Sequence, residues 1–290
     1  KHLEMANLKE IRNRISSIKS TMQITSAMKM VSAAKLKKAQ DAITAMRPYS
    51  SKLTELLQNL SATLDADAGG DYSKQRKVSK ALLVVITSNR GLCGGFNSSI
   101  IKETVKNIDS NYNDIHVDLL PIGKKGSDIL SKTYSILETR NDLFDDLTFD
   151  NVAEVAKKIM NLYVDGTYDK VEIIYNRFKN AATQIPQVEQ FLPIKPLEGD
   201  AHTNADYIFE PSKLDIVLEL IPKSLKTQLY KAVRDSFAAE HGARMTAMHK
   251  ATDNAKELRD ELLLTYNKAR QAAITNEILE IVGGAEALNN

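Results

Sequence analysis

Two long seams of apolar and small residues, spaced alternately three and four apart, constrain the fold of this chain most. A repeat of about 3.5 residues aligns side chains on one face of a helix and is the pattern of a coiled coil. The members of the carboxyl-terminal seam are Met248, Ala251, Ala255, Leu258, Leu262, Thr265, Ala269 and Ala272. The members of the amino-terminal seam are Leu8, Ile11, Ile15, Ile18, Met22 and Thr25, then Ala39, Ile43, Met46, Ser50, Leu53, Leu57, Leu60 and Leu64. The two ends of the chain are therefore predicted to be long helices that pack against each other as an antiparallel coiled coil.

Between the seams, strand patterns alternate with helix patterns. Strands are predicted at 81–87, 117–122, 134–137, 171–176 and 187–192, and helices at 96–111, 126–131 and 151–164. This alternation is typical of a mostly parallel sheet covered on both faces. Pro186 and Pro193 bracket the last strand, which suits an edge position. Pro48 is expected to interrupt the first helix, and Pro222 to kink the last one near its start.

The predicted fold class is therefore α/β, with a doubly wound, Rossmann-like domain inserted into a two-helix coiled coil. The predicted domain boundaries are 6–64 for the first coiled-coil helix, 77–211 for the α/β domain and 212–290 for the last helix, with Ser212 as its N-cap. The chain has 290 residues, of which 43% are hydrophobic, and a single cysteine, so an internal disulfide is excluded. No run of about 20 apolar residues occurs, so no membrane-spanning helix is predicted.

The net charge of +2 conceals an asymmetry between the two ends. Residues 6–60 hold ten Lys and Arg against three acidic residues, whereas residues 231–290 hold eight against nine. A basic helix is most often a solvated face, but it also suits nucleic acid, anionic lipid or an acidic protein partner. Composition leaves these alternatives open.

Residues that could carry chemistry are sparse. The histidines form no metal-binding motif, and His241 and His249 are expected on a helix surface. The glycine-rich loop 88–97 follows the first strand, where a doubly wound fold can bind phosphate. Its Gly-x-x-Gly-Gly order lacks both the dinucleotide and the Walker pattern, so a tight structural turn is the favoured interpretation over nucleotide binding. Cys93, beside Arg90, is expected to be a packed side chain rather than a reactive thiol.

Several motifs resemble those of one known family. They are Ala6 to Arg12, Gln23 to Val31, the turn from Arg90 to Gly95, and the ending from Tyr266 to Gln271 and from Ile274 to Ala285. By these motifs the chain is similar, from Ala6 to about Leu288, to the gamma subunits of F-type ATP synthases. The resemblance implies a bent shaft of two terminal helices inside a ring of alpha and beta subunits. The α/β module is then expected outside, against the epsilon subunit and the membrane c ring.

The resemblance also implies a role without catalysis or cofactor. Rotation of an asymmetric shaft would drive the beta subunits through different conformations, so that torque becomes ADP phosphorylation. No nucleotide, metal or nucleic acid is expected to bind the shaft. The segment 198–207 is short and cysteine-free, unlike the regulatory insertion of chloroplast members. This favours a bacterial chain, peripheral on the cytoplasmic face of the plasma membrane, over a mitochondrial one on the matrix face of the inner membrane.

Partner contacts are implied at the positions that match the family's motifs. Contacts with the beta subunits are implied for Met28, Lys29, Lys35, Lys37, Lys38, Arg270, Gln271, Thr275 and Glu277, and Arg244 matches an interacting position nearer the foot of the shaft. Tyr207 and Glu210 match residues near the c ring and epsilon. Two other classes stay open: a coiled-coil scaffold that binds nucleic acid through its basic helix, and a nucleotide-dependent enzyme that uses Gly94 and Gly95. Salt-sensitive duplex binding would mark the first, and saturable nucleotide binding the second.

Overall fold

The computed structural model describes residues 2–61, 71–194 and 213–289. Two very long helices, α1 (His2–Ser61) and α5 (Lys213–Asn289), flank a series of shorter elements. These are β1 (Lys80–Ile86), α2 (Phe96–Asn111), β2 (His116–Ile122), α3 (Lys124–Leu130), β3 (Ser135–Ile136), a 3-10 turn (Asp142–Phe144), α4 (Phe149–Val164), β4 (Lys170–Phe178) and β5 (Gln184–Leu192). The predicted fold class is confirmed.

The chain forms two compact units, and each long helix contributes to both. One unit comprises residues 1–31 and 245–290, and the other comprises 32–244. The predicted N-cap Ser212 and the seam end at Leu64 lie outside the described residues. Neither proline breaks its helix: α1 is continuous through Pro48 and α5 through Pro222. The prediction that Pro48 interrupts α1 was therefore wrong, because a proline removes only one backbone hydrogen bond and the helix continues past it.

The sheet of the larger unit has the strand order β3-β2-β1-β4-β5. The first four of these strands are parallel, and β5 runs antiparallel to β4 at one edge. Pro186 lies within β5 and pairs with Asn176, rather than preceding the strand as predicted. The edge position tolerates this proline, because only one side of the strand needs backbone donors.

Helices cover both faces of the sheet, because its central strands are apolar on both sides. Residues Ala81–Ile86 of β1 are all fully buried. On one face α4 and the segment 221–233 of α5 pack against the alternate residues Leu82, Val84 and Ile86. On the other face α2 and the end of α3 pack against Ala81, Leu83 and Val85. Burial on both faces is the arrangement expected of a parallel sheet.

The smaller unit pairs the start of α1 with the end of α5. The predicted α1 seam is confirmed here: Ile11, Ile15 and Thr25 are buried, and Leu8, Ile18 and Met22 are half-buried. The predicted α5 seam is right only in part. Met248 is buried and Ala251, Ala255, Leu262 and Ala269 are half-buried, but Leu258, Thr265 and Ala272 are exposed. The intervening inward positions are Thr252, Arg259, Tyr266 and Ala273.

The correction to the α5 seam has a physical cause. A three-four spacing is satisfied equally by two sets of positions that share every second member and differ by one residue in the others. Residue type favoured the set with Leu258, which is 47% exposed in the structure. The observed set instead contains Thr252 and Tyr266, and both form hydrogen bonds to α1. Specific polar pairs therefore decide which stripe faces inward.

Candidate partner-contact surfaces

The end of α5 carries the largest group of predicted contact residues. Arg270, Gln271, Thr275 and Glu277 are all exposed. The hydroxyl of Thr275 donates to the carbonyl of Gln271 at 3.0 Å, which is a local bond within the helix. The side-chain donors of Arg270 and Gln271 are solvent-accessible, and a guanidinium offers several N–H groups in a fixed fork.

Apolar side chains surround these polar residues. The exposed fractions are 48% for Ile274, 54% for Ile278, 64% for Leu279, 66% for Ile281 and 51% for Val282. Sequence reasoning did not single out Ile274 and Ile278, which lie outside the predicted seam. Exposed apolar residues grouped along one helix are typical of a protein contact surface.

The start of α1 presents a second exposed group. Met28 and Lys29 are half-buried, so each offers only part of its side chain. Sequence reasoning missed their neighbours: Ile24, Met30 and Val31 are exposed by 59%, 65% and 57%. Their position just outside the seam is the signal that could have identified them, because large apolar residues there gain nothing from helix pairing.

The basic stretch predicted on α1 lies in the larger unit. Lys35, Lys37 and Lys38 are exposed, while Leu36 and Ala39 between and beside them are buried. The three lysine side chains are therefore on the solvent side of α1, while the apolar residues of the same stretch pack inward. This leaves the charge accessible to an acidic partner. The two remaining predicted contacts, Tyr207 and Glu210, lie outside the described residues.

Arg244 is placed differently from the other predicted contacts. Its side chain is only 9% exposed and forms an ion pair with Glu240 at 2.7 Å. The same guanidinium donates to the carbonyl of Arg90 at 3.1 Å and to that of Gly91. Burial raises the pKa of the Glu240 carboxyl, although Arg244 opposes this rise. Arg244 thus holds the loop after β1 against α5.

The glycine loop after β1 is organised by its own side chains. The amide of Ser88 donates to Asn97 Oδ1 at 3.0 Å, and the Ser88 hydroxyl donates to the Arg90 carbonyl at 2.7 Å. Gly94 has a φ of 59°, a conformation that glycine adopts without strain. Cys93 is buried, and burial raises the pKa of its thiol, so the thiolate is disfavoured. These contacts agree with a structural turn, with Leu92 exposed by 67% at its tip.

His241 contradicts its prediction. It was expected on a helix surface, but it is only 5% exposed and its ring meets that of Phe237 edge-on, with centroids 4.4 Å apart. Neither ring nitrogen has a hydrogen-bond partner. Burial, reinforced by the charges of Lys35 and Arg244, lowers its pKa to about 4. Within the described ranges no group of three or more His, Cys, Asp or Glu side chains is placed to hold a metal ion.

Known proteins with similar sequences match almost the whole length of the chain. The profile of the ATP synthase family matches residues 7–288. The ATP synthase gamma chain of Flavobacterium psychrophilum is 72% identical over 285 residues, which cover 98% of this chain and 99% of the relative. That of Flavobacterium johnsoniae is 71% identical over 286 residues, covering 98% and 100%. The chain belongs to the ATP synthase gamma chain family. Its predicted role as the rotor shaft of an F-type ATP synthase is confirmed.

Solved structures of the family share the fold. A chain from the structure of the central stalk and c ring of the mitochondrial ATP synthase of Tetrahymena thermophila is 27% identical, with a TM-score of 0.57 over 79% of this chain and 99% of that one. A chain from the mitochondrial ATP synthase of Euglena gracilis, at 23% identity, has a TM-score of 0.70 over 98% of this chain and 95% of that one. No helix in the described part of the chain has both the length and the apolarity needed to cross a membrane.

Proposed function

We propose that this gamma chain is a non-catalytic shaft that transmits torque through the exposed end of α5 to a surrounding head of alpha and beta subunits. The observation that carries the proposal is the run from Arg270 to Val282, where polar donors and large apolar side chains are exposed together. Burial of a large apolar side chain contributes about 1.5 to 3 kcal/mol. Partner subunits that enclose this segment would therefore bind it more stably by burying its apolar side chains. The polar side chains of the same segment would orient those contacts.

The shaft acts by favouring different conformations of the beta subunits in turn. A ligand shifts a conformational equilibrium only when it binds the two states with different affinity. Arg270, Gln271, Thr275 and Glu277 occupy the accessible faces of one helix and meet whichever beta subunit they point toward. Because a single helix end has no rotational symmetry, each beta subunit meets a different surface at a given moment. Rotation then presents each surface of the shaft to the beta subunits in turn, which couples the conformation of one beta subunit to those of the others.

The start of α1 supplies a second set of contacts. We assign Met28, Lys29, Lys35, Lys37 and Lys38 to an acidic segment of the beta subunits. The support for this is that Lys35, Lys37 and Lys38 are exposed basic side chains, while Met28 and Lys29 are accessible in part. Exposed ion pairs contribute little individually, typically below about 1 kcal/mol. Their role is therefore to orient the partner and speed its approach rather than to supply most of the affinity.

The remaining partners are assigned to the rest of the rotor. The epsilon subunit and the membrane c ring are the partners we propose outside the head, with Tyr207 and Glu210 among the contacts. The complex would lie on the cytoplasmic face of a bacterial plasma membrane, in keeping with the bacterial origin of its relatives. Proton movement through the membrane sector would then turn this chain.

Reconstitution tests the proposal directly. The purified chain alone should hydrolyse no ATP, and mixing it with alpha and beta subunits should yield an assembled complex with rapid hydrolysis. An Arg270→Ala, Gln271→Ala variant should lower turnover about tenfold, as expected from losing about 1.4 kcal/mol of differential contact. Lys268→Ala, an exposed change on the same turn, is the matched control. Failure to assemble, or equal effects of both changes, would contradict the proposal.

A further inference from the structure

Two polar pairs bridge α1 and α5 within the smaller unit. The hydroxyls of Thr25 and Thr252 lie 2.7 Å apart. Farther along the seam, the guanidinium of Arg12 donates to the hydroxyl of Tyr266 at 2.6 Å, and its carbon lies 5.6 Å from the centre of that ring. The first pair is at a buried seam position, since Thr25 is only 8% exposed.

Each threonine of the pair also has a carbonyl acceptor in its own helix. Thr252 Oγ1 lies 2.8 Å from the carbonyl of Met248, and Thr25 Oγ1 lies 3.2 Å from that of Met22. Across the 2.7 Å between the two hydroxyls, either one can donate to the other. This bridge exists only when the two threonines face each other, whereas the bonds to the helix carbonyls do not depend on how the helices are paired. The bridge is therefore the contact of this pair that depends on register.

The apolar seam does not by itself define this alignment. With Thr25 opposite Thr252, heptad spacing places Ile18 opposite Arg259 and Ile11 opposite Tyr266. Sliding the helices by one seam position, about 5 Å, moves Ile11 opposite Leu262 or Ala269, which are also apolar although alanine is the smaller. The seam thus offers Ile11 an apolar neighbour in either direction.

The polar pairs are lost in both slipped alignments. Thr25 comes to face Met248 in one direction and Ala255 in the other, and neither accepts its proton through a side chain. Tyr266 comes to face Leu8 or Ile15, so its hydroxyl leaves the guanidinium of Arg12. A polar residue in a coiled-coil seam typically determines register in this way, by penalising the alternatives rather than by strengthening the correct one.

We propose that Thr25–Thr252 and Arg12–Tyr266 form a register lock that stops the two helices from sliding past each other. Twisting a two-stranded shaft shears one strand along the other, so such a lock keeps the contact residues on α5 at a constant height while torque passes. The lock itself depends only on the contacts described, whereas its use under load rests on the proposed function.

Cysteine cross-linking of the full-length chain tests the lock. In a Cys93→Ser background, Ile18→Cys is combined with a second cysteine at position 259, 255 or 262. Position 259 reports the observed alignment, and the other two report a slip in each direction, because a disulfide needs Cα atoms within about 7 Å. Thr25→Val with Thr252→Val should raise slipped cross-links about tenfold, since the hydrogen bond between the two hydroxyls is lost. Tyr266→Phe should add to this increase.

Two controls separate register from general stability. Thr25→Ser with Thr252→Ser retains both hydroxyls and should keep cross-linking at position 259 alone. Thr265→Val removes the same atoms from an exposed threonine whose hydroxyl bonds only within its own helix, to the Glu261 carbonyl, and should change nothing. Unchanged cross-linking in the double valine variant would overturn the register lock. Slipped cross-links without a loss of protons pumped per ATP hydrolysed, in the assembled complex, would overturn its role under load instead.

Discussion

Replacing His241 by leucine should remove much of the acid sensitivity of the larger unit. The imidazole is buried against Phe237, and neither nitrogen has a hydrogen-bond partner. Lys35 and Arg244 face it with positive charge, and Glu240 supplies the nearby negative charge, which is already paired with Arg244. A proton added to His241 would thus place a further, buried cation beside Lys35 and Arg244, with a single carboxylate nearby.

The size of the effect follows from linkage. The pKa of His241 is about 4 in the folded chain and 6.5 in the unfolded reference. The unfolded chain therefore binds more protons between these values, so folding stability falls as the pH drops below 6.5 and stops falling near 4. At about 1.4 kcal/mol per pKa unit, the loss between pH 7 and pH 4.5 is about 2 kcal/mol. Leucine cannot bind a proton, so this loss should disappear.

Urea unfolding of the full chain at both pH values measures the effect. At pH 7 the leucine variant should be as stable as the natural chain or about 1 kcal/mol more stable, because two unsatisfied polar atoms are removed. The control is His249→Leu, which replaces an exposed imidazole on the same helix. Equal losses of stability for the natural chain and His241→Leu between pH 7 and pH 4.5 would refute the reasoning.

Two further changes test the larger unit. Gly123→Ala should cost about 3 kcal/mol or more in thermal or urea unfolding, because a Cβ there would lie 2.1 Å from the Thr87 carbonyl oxygen and φ is +110°. Gly91→Ala, with open space at that position, should cost far less, and similar losses would contradict the steric account. Asp169→Ala should cost about 1–2 kcal/mol at pH 7, since the carboxylate accepts three hydrogen bonds at the start of β1. Those bonds lower the pKa of the Asp169 carboxyl, so its contribution to folding stability is present at neutral pH and is lost as the pH falls below about 4. Asp165→Ala, which removes an exposed carboxylate, is the control. A loss of stability in Asp169→Ala that does not change with pH would refute this assignment.

The elements of the α/β module were predictable because each is determined locally. The apolar run from Ala81 to Ile86 has one physical outcome, a strand buried on both faces, and the helix Phe96–Asn111 has the predicted bounds. Family motifs extended this to function, since they are local in sequence too. The contact assignments on α1 and α5 remain predictions, because a partner's surface decides them.

The seam of α5 shows what sequence periodicity leaves undecided. The choice between Leu258 and Arg259, or between Thr265 and Tyr266, depends on which residue of α1 lies opposite, far away in the chain. His241 and Arg244 illustrate the same limit in the larger unit. Their residue types suggested surface positions, but neighbouring elements bury both.

The sequence by itself determined the elements, their order and the family, because hydrophobic period and turn residues act over a few residues. Only the tertiary structure decided which stripe of α5 faces α1, which groups the guanidinium of Arg244 binds and why the pKa of His241 is low. Each of these depends on hydrogen bonds and electrostatic contacts between residues distant in the chain, such as the one from Thr25 to Thr252. A pairwise contact of that kind leaves no periodic signal in a single sequence.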